Sequence, residues 1–260
     1  MPCTFSHPLA IVPLRRLCPR WLNFAALIIG SMSPDFGYYT QQFGLAKYAH
    51  TLPGSLILCL PAGLIILGLF YLIRRPVCFL LPQPHRTALM PLASRRPVVS
   101  LRNILVAALS VLIGAWSHNV WDSFTHDGAW AVQRIPLLSM PLLHVAGTDL
   151  PVSYLLQQFS TFSAGAALGV LYLLWLRKQR QATLQPGSDW WRYLLLSALI
   201  IISLAIAVPF ALRMASFYEG YTAIRVIIFR TAIYSASAFV PLILLAAVTL
   251  HFVRKKRGYH

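Results

Sequence analysis

Hydrophobic residues in this chain gather into five long runs, separated by shorter stretches rich in arginine and proline. The runs cover 52–73, 104–121, 155–176, 194–212 and 231–252, and none contains Lys, Asp or Glu. A helix rises about 1.5 Å per residue, so about 20 apolar residues cross the roughly 30 Å of hydrocarbon in a bilayer. The pattern therefore predicts an all-α polytopic membrane bundle with about five spanning helices. Pro61, Pro209 and Pro241 fall inside three of the runs and are expected to kink them, which neighbouring helices can accommodate.

The first fifty residues carry shorter apolar pieces. Stretches 7–18 and 21–32 read as two short helices separated by Pro19, with Ser6 as N-cap and Pro8 in the first turn. Each would be only about 18 Å long, too short to span. They are expected to form a helical hairpin that begins and ends at one level, bringing His7 close to Asp35. Its tip, with Arg15, Arg16 and Arg20, must reach water or pack in protein. We divide the chain into residues 1–176, carrying the candidate site, and residues 177–260, a final pair of spans packed on it as one membrane-embedded unit.

Composition agrees with this reading. The chain is 58% hydrophobic and 11% charged, where soluble domains carry about 25% charged residues. Its net charge of +16 would fit nucleic acid, but the basic residues sit in clusters flanking the apolar runs, where orientation signals lie. Fourteen Lys and Arg fall in 74–103, 177–193 and the tail, Arg180 and Arg254–Arg257 among them, against four in 122–154 and 213–230. The richer side, including the C-terminus, is expected to be cytoplasmic. Trp116, Trp121, Trp130 and Trp175 are candidate interfacial anchors. Cys3, Cys18, Cys59 and Cys78 form no C-x-x-C pair, which argues against a disulfide framework or thiolate metal site. No signal-peptide pattern opens the sequence.

The acids and histidines carry the chemistry. Asp35, Asp122, Asp127 and Asp149 fall on the expected outer side, with His50, His118, His126 and His144. In S-H-N-V-W-D-S-F-T-H, residues 117–126, the groups His118, Asp122 and His126 stand four residues apart, along one helix face. Imidazole and carboxylate at this spacing suit a divalent ion, typically zinc, and Asp122 has two oxygens with which to bridge two. Asp35 in S-P-D-F and His50 in H-T-L-P-G would join them at the same level, and His7 would follow if the hairpin forms. The plainer readings are that Asp122 caps a helix or pairs with Arg134, and that Asp35 solvates a turn. His144 and Asp149 read as loop polars, and His85, His251 and His260 lie on the opposite side. No nucleophile elbow, phosphate loop or dinucleotide fingerprint is present, so hydrolysis would need a metal-activated water.

M-P-C-T-F-S-H-P at the start, G-S-M-S-P-D-F at 30–36, H-T-L-P-G at 50–54 and S-H-N-V-W-D-S-F-T-H at 117–126 together resemble the bacterial membrane proteins grouped as domain of unknown function 4184. The resemblance extends to about Leu176 and implies a bacterial inner-membrane location. A more distant similarity leads to inner-membrane metal-dependent hydrolases and to secreted zinc-dependent phospholipases C. By that likeness His7, Asp35, His50, His118 and Asp122 would bind a zinc cluster bridged by Asp122, and His126 and His144 would match a further site. The chain departs from the phospholipases in lacking H-x-x-x-E after His144, where Asp149 only approximates the pattern, and in lacking their N-terminal Trp amine.

Two functions follow as expectations. One is a hydrolase using one or two zinc ions, with metal ligands His7, Asp35, His50, His118, Asp122 and His126, of which His118 and Asp122 are also the candidate catalytic pair. Its partners would be the bilayer and a lipid or lipid-linked phosphodiester, with no nucleic acid. The other is a non-catalytic membrane protein, either a metal-stabilised scaffold or a small transporter.

Overall fold

The structure is a computed structural model that describes residues 4–18, 20–145, 147–179 and 189–256, with side chains to Val253. Cys3, Pro19, Arg180, Arg257 and His260 lie outside the described residues, as do the side chains of Arg254, Lys255 and Lys256.

Five helices among the described residues are long and apolar enough to cross a membrane, and the chain is a membrane protein of the all-α class. With three shorter helices they form the labelled set α1 (Pro8–Ile11), α2 (Phe24–Met32), α3 (Phe43–Ala49), α4 (Leu52–Leu80), α5 (Leu101–Thr125), α6 (Val152–Gln179), α7 (Trp190–Ala215) and α8 (Gly220–Lys256). Each long helix contains one of the apolar runs but extends beyond it. Flanking polar residues can keep helical hydrogen bonds going without adding to an apolar window. The expected loop 213–230 shrinks accordingly to the turn after Ala215, and Arg225 and Arg230 lie within α8. Pro209 and Pro241 lie inside α7 and α8, and Pro61 follows a π-helical segment, Ser55–Cys59, within α4.

Residue contacts divide the chain into two units, the first Met1–Leu67, Val98–Val170 and Tyr218–Arg225, the second Gly68–Pro97, Leu171–Phe217 and Val226–His260.

In the first unit α2 packs on α5. Ala26, Leu27, Gly30 and Ser31 of α2 are buried, as are Ala107, Ser110, Val111, Gly114, Ala115, His118 and Asp122 of α5. Those α5 residues recur at three- and four-residue spacing, forming one stripe of small side chains that ends in the His/Asp pair. Asn23 fixes the start of α2: its side chain accepts from the Ala26 amide at 3.1 Å, and its own amide donates to Ser110 Oγ at 2.8 Å. The entry to the chain differs in detail from the expected pair of helices. Only Pro8–Ile11 is α-helical before the 3₁₀ turns Val12–Leu17, and residues 21–23 precede α2. Ser6 is not an N-cap: its hydroxyl donates to the Thr161 carbonyl of α6 at 2.8 Å. The hairpin does close, however, because Thr4 Oγ1 donates to Asp35 Oδ2 at 2.7 Å. Between α5 and α6 lies a small antiparallel hairpin, β1 (Pro141–Val145) and β2 (Thr148–Pro151), turning at Gly147 with φ +78°. That value is unfavourable for residues with a Cβ.

In the second unit, a short helix His85–Ala93 follows α4, and Asp189 stands at the N-terminal end of α7. Asp189 accepts from the Gln83 amide at 2.7 Å and pairs with Arg192, while His85 Nδ1 meets Tyr172 Oη at 2.7 Å.

Candidate metal centre

Three elements deliver the four residues of the cluster. Asp35 sits in the 3₁₀ turn Ser33–Asp35 that ends α2, where Pro34 stops the helix. His50 is the C-cap of α3, immediately before α4. His118 and Asp122 lie one turn apart near the end of α5.

Their facing atoms alternate around a closed ring. His50 Nε2 is 3.5 Å from Asp35 Oδ1 and 3.4 Å from Asp122 Oδ2, and His118 Nε2 is 3.5 Å and 3.2 Å from the same two oxygens. All four atoms lie within 4.8 Å of one another. Adjacent ligands on a zinc-sized ion, with bonds of about 2.0–2.1 Å, are themselves about 3–3.4 Å apart. Most of these contacts exceed good hydrogen-bond lengths. Accordingly Asp35 Oδ1, His118 Nε2 and Asp122 Oδ2 are buried without a hydrogen-bond partner among the described residues. Orphaned polar atoms are costly in a packed interior, and three converging on one point fit a site for a cation.

The outward atoms are committed elsewhere. His118 Nδ1 bonds the Ser31 carbonyl at 2.8 Å and His50 Nδ1 bonds the Ala46 carbonyl at 2.7 Å. A carbonyl can only accept, so each neutral ring carries its proton on Nδ1 and turns the Nε2 lone pair inward, the orientation a metal-binding histidine needs. Asp35 Oδ2 accepts from Thr4, whose hydroxyl in turn accepts from Tyr39 Oη at 2.8 Å. Asn119 donates to Ser55 Oγ at 3.1 Å, joining α5 to the π-helical start of α4.

Asp122 presents its other oxygen to a second pair. His7 Nε2 is 3.6 Å and His126 Nδ1 3.5 Å from Asp122 Oδ1. The His7 ring stacks on His118 with centroids 3.7 Å apart. His126 Nε2 meets the Gln157 side-chain amide of α6 at 2.7 Å. Asp35 and His118 are closed off from the exterior, whereas the side chains of His50 and His126 are 22% and 28% exposed. The centre is thus sealed below and accessible at its rim.

Charge follows this geometry. Burial alone would lower the His50 imidazole, but Asp122 and Asp35 push it up to about 9. Burial would likewise raise the Asp35 carboxyl, yet His118 and His50 hold it well below the usual range. His7, by contrast, is lowered to about 4 by burial and by His118 beside it. Burial also lowers His126.

The six residues singled out in the sequence as ligands are brought together: four around one point, with His7 and His126 at the far oxygen of Asp122. Asp122 faces this cluster, and Arg134 lies instead over the Trp130 ring at 4.6 Å. His144 and Asp149 stay outside the cluster, paired with each other across the β hairpin at 2.7 Å and largely exposed. His85 stacks against Tyr172, and His251 makes an edge contact with Phe252. Sequence reading missed Thr4, Ser31, Tyr39, Ala46 and Gln157. Of these only Gln157, one of two adjacent amides within a candidate span, left a trace that could have been followed.

Fold and site together define a polytopic α-helical membrane protein with a His/Asp cluster near one end of a spanning helix. The chain belongs to the family described as Domain of unknown function (DUF4184), which matches residues 1–249, in keeping with the resemblance of its ordered motifs. No curated protein and no solved structure matches it.

Proposed function

We propose that the protein is a membrane-embedded metal-dependent hydrolase. Its centre, Asp35, His50, His118 and Asp122, would hold Zn²⁺, with His7 and His126 completing a place for a second ion at Asp122 Oδ1. The observation that carries this reading is the pair of histidines whose Nδ1 atoms are bound to backbone carbonyls, so that both Nε2 atoms face two buried carboxylate oxygens. A bound ion would supply Lewis acidity and a water-derived nucleophile at neutral pH. Around it, Asp122 would orient that nucleophile, while His118, locked by Ser31, would help hold the ion and keep Asp122 in place. The rim at His50 and His126 supports catalysis over a purely structural role, since a structural ion is usually enclosed by protein ligands.

The charge pattern supports an orientation, and the family resemblance supports a bacterial inner membrane. With the arginine-rich loops and C-terminus in the cytoplasm, the centre would face the outer side of a bacterial inner membrane. A group worked on there would belong to a lipid or lipid-linked phosphodiester, held at head-group level.

Metal content tests the reading. Protein purified without chelator should carry close to one or two transition-metal ions per chain, and His118→Ala and Asp122→Asn should lose most of it. Wild-type protein that neither retains nor takes up Zn²⁺ would remove the proposal. Stoichiometric metal without turnover of phosphodiesters or esters would shift it to the metal-stabilised scaffold.

A further inference from the structure

Beside the centre lies a cavity of about 200 Å³, bounded by His7 and Leu9, by Trp121 of α5 and by Ser160, Ser163 and Ala164 of α6. His7 belongs to both the cavity and the cluster, so the two spaces adjoin. Ser160 and Ala164 lie two to three turns into α6, roughly 12–18 Å along the helix from its N-terminal end at Val152. The cavity therefore runs from the His/Asp cluster alongside the apolar part of a spanning helix. Exposed Ser163 leaves it open to the exterior.

Its chemistry is one-sided. Among the described residues, no Lys, Arg, Asp or Glu lines it. The serine hydroxyls donate to backbone carbonyls: Ser6 to Thr161 at 2.8 Å, Ser160 to Gln157 at 3.1 Å and Ser163 to Ser160 at 3.4 Å. With those donors used internally, the walls offer an incoming molecule mainly carbon, from Leu9, Trp121 and Ala164. The polar end is His7.

We propose that this cavity receives the alkyl chain of an amphiphilic substrate whose polar group sits at the neighbouring centre. The inference rests on the hydrolase reading and adds to it the place where the substrate's tail binds. Small side chains at 160, 163 and 164 make the room, and Ala164 sets its width.

A chain-length series tests it. Co²⁺-loaded protein in detergent is titrated with n-alkyl hydroxamates, from acetohydroxamate to octanohydroxamate, and binding is read from the visible cobalt spectrum. Affinity should rise by up to about fourfold per added methylene, the equivalent of about 0.8 kcal/mol per buried CH₂, and level off once the cavity is full. Ala164→Trp and, by a second route, Ser160→Phe should flatten the rise. Ala166→Trp, on an exposed face of the same helix and outside the cavity, should keep it. A flat series in the wild type, or an equal slope in Ala164→Trp, overturns the inference while leaving the metal centre standing. Absence of any spectral response across the whole series in Co²⁺-loaded protein would show an ion with no open position, removing the hydrolase reading and this inference with it while leaving a structural metal centre.

Discussion

His118 Nδ1 bonds the carbonyl of Ser31 at 2.8 Å, a contact possible only because α2 and α5 approach almost backbone to backbone. A Cβ added at Gly114 would lie 2.4 Å from the Leu27 carbonyl oxygen and 2.6 Å from the Ser31 amide nitrogen, and one at Gly30 would lie 2.2 Å from the Val111 carbonyl oxygen. Neither backbone can yield locally, so Gly114→Ala must push α2 away and take Ser31 with it. It should destabilise by about 1–3 kcal/mol, as overpacked cores do, and should also weaken Zn²⁺ binding. Gly68→Ala, where an added Cβ meets nothing within 4 Å, should be neutral or slightly stabilising in a helix. Thermal unfolding and metal titration of the two variants check this. Full metal affinity in a well-folded Gly114→Ala protein would separate the helix contact from the centre.

Thr4 and Tyr39 should act on metal affinity without touching the ion. Thr4→Val leaves Asp35 Oδ2 without its donor, and loss of such an outer partner weakens binding by about 10–100-fold. Thr4→Ser keeps the hydroxyl and should restore most of the affinity, with Tyr39→Phe falling between. Competition against a chromophoric chelator measures all three. Equal affinities in Thr4→Val and Thr4→Ser would show that the hydroxyl is dispensable.

The spans were legible because a run of about 20 apolar residues matches the thickness of a bilayer and little else. Their ends were not, since α8 continues through Arg225 and Arg230 on helical hydrogen bonding that leaves no apolar signature. The facing of His118 and Asp122 could be read from their spacing, and Asp35 and His50 from the small number of acids and from their expected place at the same membrane level. Ser31 and Ala46 could not be read, because they act through backbone carbonyls that every residue possesses. Gly30 and Gly114 were visible as residues, but which small residue meets which backbone is decided only when two helices pack.

Asp122 has one oxygen toward each pair of histidines, which separates the expected losses. Under the two-ion arrangement His7→Ala and His126→Ala should each remove only the ion at Oδ1, lowering content from about two to about one. His118→Ala should affect both, since its ring faces Asp122 and stacks on His7. Metal analysis after dialysis at graded chelator strength gives the answer. Identical losses in His126→Ala and His118→Ala would mean a single shared ion.

The second unit offers a prediction independent of metal. Asp189 accepts from the Gln83 amide and pairs with Arg192, with Arg86 3.9 Å away. Burial would raise its carboxyl, but the Gln83 amide, Arg192 and Arg86 hold it below the ordinary value. A carboxylate whose folded pKa is depressed binds fewer protons in the native state than in the unfolded one. Its stabilisation is therefore present above the unfolded value of about 3.9 and is lost as pH falls through the lower folded value. Asp189→Asn keeps an acceptor for Gln83 but removes the charge facing two arginines. It should destabilise the protein by roughly 1–3 kcal/mol at neutral pH, the usual cost of losing a charged hydrogen-bond partner. The gap in melting temperature should hold steady above a pH of about 5 and narrow below about 4. Unfolding in detergent, followed by circular dichroism across this range, checks the sign. A gap that stays constant to pH of about 3 would assign the loss to packing around Asp189 and not to its charge.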